Sequence, residues 1–281
     1  LWPQTKNKLV TEFLSPSFQD SIHPKMKRTN DPASSIFPFL CIKNIMHLFY
    51  APDAAPGLIS LSEDESMHCA RVLRLQVGDK VVLSNGKGLF FDAVIEAPHP
   101  KKTVLLCGKG KPQGEKKFKV HIALAPTKNL DRTEWFVEKA TEIGIDKISI
   151  FFSAHSERRV LKLERLLKVA LAAMKQSFRS TLPEIVAANS LEEFIHSANE
   201  KNRFIAWVNE DVKLELAKAI VPDRDTLVLI GPEGDFSSDE VKLAKNHEFV
   251  PVSLGRSRLR TETAALVACH TILLINALKK Q

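Results

Sequence analysis

Beyond residue 119 the chain alternates short apolar runs, rich in β-branched residues, with longer stretches that carry apolar residues at helical spacing. That alternation constrains the fold more than any other feature. Residues 120–125, 147–152, 204–208, 226–230 and 249–254 read as strands. Residues 130–143 place Phe136, Val137, Ala140 and Ile143 on one helical face. Residues 163–178 and 261–279 read as two further long helices. Ser237-Ser238-Asp239-Glu240 has the spacing of a capping box and predicts a helix running to Lys245. Strand–helix alternation of this kind predicts an α/β domain over residues 119–281, built on a largely parallel sheet.

The preceding part reads differently. In residues 46–115, runs at 80–84 and 89–97 flank Asn85-Gly86-Lys87-Gly88, a hairpin signal because Asn and Gly tolerate positive φ. Residues 103–107 add another strand. Ser62-Glu63-Asp64-Glu65 has the pattern of a second capping box, with Ser62 as N-cap and a helix running to about Leu73. This is the pattern of a small β-barrel-like module. Residues 109–119, rich in Lys, Gly and Pro, read as a linker. Residues 1–45 hold five of the fifteen prolines, no glycine and no sustained period. They are expected to be a disordered or non-native N-terminal extension, with Met46 as the natural start; a disordered basic arm and a targeting peptide are the alternatives.

Forty Lys and Arg face thirty-three Asp and Glu, a net charge of +7. A surplus of this sign suits a polyanionic partner, nucleic acid above all. The four cysteines, Cys41, Cys69, Cys107 and Cys269, form no CxxC pair, which argues against a zinc site and a disulfide framework and for a reducing compartment. The most apolar stretch, 264–278, is interrupted by His270, Thr271 and Asn276 and reads as a buried helix, so no membrane partner is expected.

The glycines fall late in the α/β part. The strand at 120–125 is followed by Pro126-Thr127-Lys128-Asn129, without the glycines that a dinucleotide fold places there. Instead Gly231-Pro232-Glu233-Gly234 follows the strand 226–230, and Gly255 opens a loop after the strand 249–254. Both loops stand where ligands of open α/β sheets bind, and glycine lets backbone approach a ligand closely.

Leu229-Ile230-Gly231-Pro232-Glu233-Gly234-Asp235-Phe236-Ser237, taken with Ser253-Leu254-Gly255 and Leu259-Arg260-Thr261-Glu262-Thr263-Ala264, resembles the signature of the 16S rRNA uridine-N3 methyltransferases (RsmE type) of the SPOUT superfamily. The likeness extends to residues 68–74, to 138–144 and to Met174-Lys175-Gln176-Ser177, and so spans roughly 46–281. Many relatives carry Glu before Gln-Ser where this chain has Lys175, so the resemblance gives Lys175 no role. It implies a PUA-like N-terminal domain, an α/β domain with a deep trefoil knot, a homodimer, and a cytoplasmic enzyme acting on 16S rRNA or the small ribosomal subunit. It also implies S-adenosylmethionine as cofactor, held by Leu229, Ile230, Gly231, Pro232, Glu233, Gly234, Leu254, Gly255, Leu259 and Thr263. Leu229 and Ile230 could equally be ordinary core.

Methyl transfer to uracil N3 requires loss of the N3 proton, and negative charge then spreads to O2 and O4. Arg260 is the expected electrostatic partner of that charge. Its bland alternative is a phosphate contact. Glu262 is a candidate base or orienting acceptor; the alternative is a first-turn carboxylate complementing the helix dipole. His68, Arg71 and Arg74, three residues apart, suit phosphate contact along a helix. His155, Arg158 and Arg159, after the strand ending at 152, form a second basic cluster, of which Arg158 and Arg159 are expected to touch RNA. The rivals are a related SPOUT enzyme acting on a ribose hydroxyl or another base, an RNA-binding assembly factor without catalysis, and, set back by the missing glycine loop, a nicotinamide dehydrogenase.

Overall fold

The computed structural model describes residues 47–114, 116–157, 161–209 and 211–279. The expected extension at 1–45 lies outside them, as do Arg158 and Arg159.

Residues 48–112 form a five-stranded sheet in the order β1-β3-β4-β5-β2. The strands are β1 (Leu48–Tyr50), β2 (Gly57–Ser60), β3 (Lys80–Ser84), β4 (Leu89–Ala97) and β5 (Val104–Pro112). Alternate residues point inward, and Phe49, Leu83, Ile95 and Leu105 are fully buried with Cys69 behind them. The expected linker is shorter than its composition suggested. Lys111 and Pro112 still pair with Phe90 and Leu89, so β5 continues to Pro112. Proline is tolerated there because it ends the strand.

The helix between β2 and β3 departs from simple α geometry. Helix α1 (Glu63–Met67) has Ser62 as N-cap, accepting from Glu65 N. It then widens into a π-helical turn over His68–Val72, marked by Leu73 N donating to His68 O. A wider turn breaks the three-residue periodicity that put His68, Arg71 and Arg74 on one face. All three are nonetheless exposed, and Arg74 turns into the left-handed region at φ 53°. The second half of the expected capping box is missing: the Glu65 side chain does not return to Ser62 N but reaches Lys175.

Residues 120–252 form a six-stranded, all-parallel sheet in the order β11-β9-β10-β6-β7-β8. In chain order these are β6 (Val120–Leu124), α2 (Leu130–Ile143), β7 (Lys147–Ile150), α3 (Leu163–Gln176), β8 (Glu184–Ala187), α4 (Leu191–Ser197), β9 (Asn202–Ala206), α5 (Leu216–Ala219), β10 (Thr226–Ile230), α6 (Ser238–Asn246), β11 (Val250–Val252) and α7 (Thr261–Leu278). Every residue of β6 and β10 is buried, as expected of central parallel strands covered on both faces. Strand parity sorts the core. Val120, Ile122, Leu124, Val228 and Ile230 pack with Phe136, Leu166 and Ile272, under α2, α3 and α7. Ala123, Ala125, Leu227 and Leu229 pack with Phe151, Phe194, Phe236 and Val241, under α4 and α6.

Helix α7 is long and apolar enough to cross a bilayer by length and composition. It packs instead on β6, β10, α2 and α5 and buries Ala265, Ala268, Cys269, Ile272 and Asn276, in line with the expected core helix. Burial drives the Cys269 thiol up to about 12, so it is inert. At the start of β6, His121 bridges Glu200 (Nδ1···Oε1 2.6 Å) and Ser149 (Nε2···Oγ 2.8 Å). This has the connectivity of a hydrolase triad, but Ser149 is fully buried, so the chain of bonds ties strands together and meets no substrate.

Candidate active site

The loop after β6 closes on itself. Thr127 Oγ1 donates to Asn129 O at 2.6 Å, Thr127 N donates to Thr133 Oγ1 at 3.2 Å, and Asn129 caps α2 by accepting from Asp131 N. These bonds hold the loop against the start of α2.

The open end of the sheet lies elsewhere. A cleft of about 880 Å³ spans the C-terminal ends of β9, β10 and β11. Three segments line it: residues 206–209 after β9, residues 230–233 with Asp235 after β10, and residues 252–261 after β11. Of the expected cofactor residues, Ile230, Gly231, Pro232, Glu233, Leu254, Gly255 and Leu259 are brought together on its walls, and Arg260 stands with them.

Leu229, Gly234, Glu262 and Thr263 are not wall residues of this cleft. Parity sends the Leu229 side chain into the core beneath α6. Gly234 serves packing: a Cβ there would meet His155 Cβ at 3.1 Å. Its φ is not in the left-handed region; that conformation falls on Asp235, at φ 62°. Glu262 is buried in the first turn of α7. Its Oε1 faces Arg132 Nε at 3.8 Å, and its Oε2 has no hydrogen-bond partner. This placement favours the orienting, dipole-complementing reading of Glu262 over that of a base.

Asp235 knits the cleft. Its Oδ1 accepts from Phe236 N at 2.8 Å and its Oδ2 from Val208 N at 3.1 Å, joining the β10 and β9 loops. Its carbonyl oxygen bonds His155 Nδ1 at 2.9 Å. Burial raises the Asp235 carboxyl above its ordinary value, partly offset by those backbone donors and by Arg258 and His155. The Glu233 carboxylate accepts from Lys128 N at 3.0 Å and ties the loop to the one after β6. Gly255 sits at φ 119°, where an L-residue is strained, with nothing within 4 Å of an added Cβ. The β11 loop then turns back on Ser253, whose Oγ lies 3.1 Å from Gly255 N.

The third wall was missed by sequence reasoning. Trp207, Val208 and Asn209 close the cleft beyond β9, where the strand reading simply ran on to Val208. Arg256 and Arg258 were missed as well. They alternate with Ser257 and Leu259 ahead of Arg260, and all three arginines are exposed at the cleft. That alternation after Gly255 was a usable signal of an anion-facing edge. Ile230, Val252, Leu254 and Leu259 supply apolar wall to the same cleft. The cleft therefore suits a flat, part-apolar ligand beside an anionic one.

The RNA methyltransferase domain family matches residues 114–273, and the RNA methyltransferase PUA domain matches residues 61–106. Ribosomal RNA small subunit methyltransferase E of Rickettsia conorii is 30% identical over 229 residues, covering 78% of this chain and 91% of its own length. The Bacillus subtilis protein of the same name is 28% identical, covering 76% and 88%. The crystal structure of a probable rRNA-methyltransferase from Porphyromonas gingivalis is 43% identical, with a TM-score of 0.77, covering 83% of this chain and 100% of that one. A Legionella pneumophila methyltransferase, solved with the bound cofactor SAM, is 28% identical, with a TM-score of 0.73 and coverage of 83% and 98%. This chain belongs to the ribosomal RNA small subunit methyltransferase E family of RNA methyltransferases.

Proposed function

We propose that the chain transfers the methyl group of S-adenosylmethionine to N3 of a uridine in 16S rRNA. The observation that carries the reading is the cleft, which sets an apolar wall and a glycine-opened backbone edge beside three arginines. S-adenosylmethionine fits the residues present. Ile230, Leu254 and Leu259 match the apolar faces of adenine, and the open backbone at Gly255 offers N–H and C=O groups to its polar edges. When bound it supplies an electrophilic methyl group on a sulfonium.

The protein residues handle the nucleophile. Uracil N3 is protonated and weak until its proton leaves, and the resulting charge lies on O2 and O4. Arg260, at the N-cap of α7, stands at the cleft edge to meet that charge. Glu262, buried behind it, orients the helix start and faces Arg132. Among the described residues Arg260 has no carboxylate partner, so its guanidinium is available to substrate. The uridine has to be unpaired or flipped, since pairing hides N3. His68, Arg71 and Arg74 hold RNA phosphates on the PUA domain. Arg158 and Arg159 keep the same expected role from sequence alone.

The reading includes a SPOUT-type trefoil knot in the α/β domain, a homodimer, and action in the cytoplasm on the small subunit or its rRNA. Trp135 of α2 and Leu274 and Leu278 of α7 support the dimer. They are 41%, 44% and 57% exposed on two helices packed against each other. An apolar surface of this kind suits burial by a second copy. In vitro methylation of small-subunit rRNA with labelled cofactor tests the reading. Label at a uracil N3 is expected, and label at a ribose hydroxyl or another base would replace it with the related SPOUT activity.

A further inference from the structure

The sequence singles out Met174-Lys175-Gln176-Ser177, yet these residues lie away from the cleft. Helix α3 leaves the C-terminal end of β7 and runs back to the end of the sheet where β8 begins, so Lys175 in its last turn sits opposite the cleft. Here the two sheets of the molecule meet. Gly88 N donates to Ser180 O at 2.9 Å, and Leu182 N to Gly86 O at 2.9 Å. Gln113 Oε1 accepts from both Ser180 N (2.7 Å) and Ser180 Oγ (2.8 Å). Ser84 Oγ lies 4.0 Å from Met174 Sδ.

These contacts are neutral. The one ion pair across the junction joins Lys175 Nζ to Glu65 Oε1 at 2.6 Å, among the described residues. Glu65 is only 6% exposed in its side chain, and its other carboxylate oxygen has no partner. Its neighbours locally are Ser62, whose amide it leaves uncapped, and Cys69, whose thiol its charge helps to raise after burial. Three residues after Glu65 comes His68, then Arg71. A carboxylate at the root of the basic turn is thus withdrawn from its local capping use and spent on the other domain. A buried carboxylate that loses its only cation becomes an uncompensated charge, so this contact is the one across the junction most costly to break.

We infer that Glu65 and Lys175 are positioning residues: their ion pair is a latch that fixes the basic turn of the PUA domain against α3, so that RNA held at Arg71 and Arg74 is offered to the cleft in one orientation. The inference rests on the RNA methyltransferase reading for its functional half.

The test uses the full chain carrying Lys175→Glu, Glu65→Lys, both together, and Lys175→Arg. Methylation of small-subunit rRNA is measured with kcat and KM separated, and cofactor affinity by calorimetry. Distances between spin labels at Glu96→Cys and Glu192→Cys, both exposed positions, report domain orientation independently of activity. Each single reversal is expected to raise KM for RNA about tenfold, the ratio that corresponds to ~1.4 kcal/mol, and to broaden the label distances. Cofactor affinity should stay within about twofold, well below that ratio. The double reversal and Lys175→Arg should restore both KM and a narrow distance. A parental KM and a narrow distance in the single reversals would overturn the latch. So would a double reversal no better than the worse single. If the parent chain methylates no rRNA, the activity reading falls, while the label distances still decide whether the latch exists.

Discussion

Replacing Arg260 with alanine separates chemistry from binding. The residue stands at the mouth of the cleft as N-cap of α7, with no described carboxylate to neutralise it. A cation about 4 Å from a full anion gains roughly 4 kcal/mol at an effective dielectric of about 20. Charge on the uracil is small in the ground state and grows as the N3 proton leaves, so most of that gain is realised in the transition state, where it lowers the barrier. Removal of one such group typically costs about 10²–10³ in turnover, or ~2.7–4 kcal/mol. Arg258 and Arg256 line the same edge and blunt the loss, which puts the expectation near 10². The assay is single-turnover methylation at saturating enzyme, with RNA and cofactor affinities titrated separately. Arg260→Ala should be slow and bind nearly normally, and Arg260→Lys should recover only part of the rate because the planar fork is lost. A variant that binds RNA poorly but reacts at the parental rate once saturated would refute the reasoning and make Arg260 a phosphate clamp.

Other consequences are as direct. Changing Arg71 and Arg74 together to alanine should weaken RNA binding and flatten its salt dependence by about 1.5 in log–log slope, with cofactor affinity unchanged; an unaltered slope would remove both from the RNA surface. Gly144 ends α2 at φ 102°, and a Cβ there would collide with the Arg179 guanidinium, so Gly144→Ala should cost about 1–3 kcal/mol in denaturant unfolding. Glu200 is pushed up by burial but pulled further down by the His121 hydrogen bond and charge, so its folded value lies below the ordinary one. A depressed carboxylate adds stability above about pH 4.3 that is lost as pH falls through its folded value. Glu200→Gln should therefore lower the melting temperature at pH 7 and lose less than the parent between pH 5 and 3 (pH values chosen to straddle roughly the glutamate range).

Strand–helix alternation was legible because parallel strands buried on both faces leave unbroken apolar runs, as β6 and β10 do. Strand β8 and helices α4 and α5 were not read, since four to seven residues carry too little period to stand out. The two glycine loops were legible in the sequence, and seven of the ten expected cofactor residues line one cleft. What failed was local chemistry decided by distant residues. Ser237 and Glu240 form the full capping box that their spacing promises. Ser62 and Glu65 have the same spacing, but Lys175, 110 positions away, takes the glutamate. Nothing local to Gly234 reveals His155 packed against it. Glu262 reads as a site residue beside Arg260, yet a helix's first turn points adjacent side chains in different directions, and Glu262 faces Arg132.

The most direct measurement is nucleoside mass spectrometry of 16S rRNA after incubation with the purified chain and S-adenosylmethionine. One added methyl group per rRNA, recovered as 3-methyluridine and lost in Arg260→Ala, is the predicted result. A methyl group recovered on a ribose 2′-hydroxyl or on another base, or none despite bound cofactor and RNA, would contradict it.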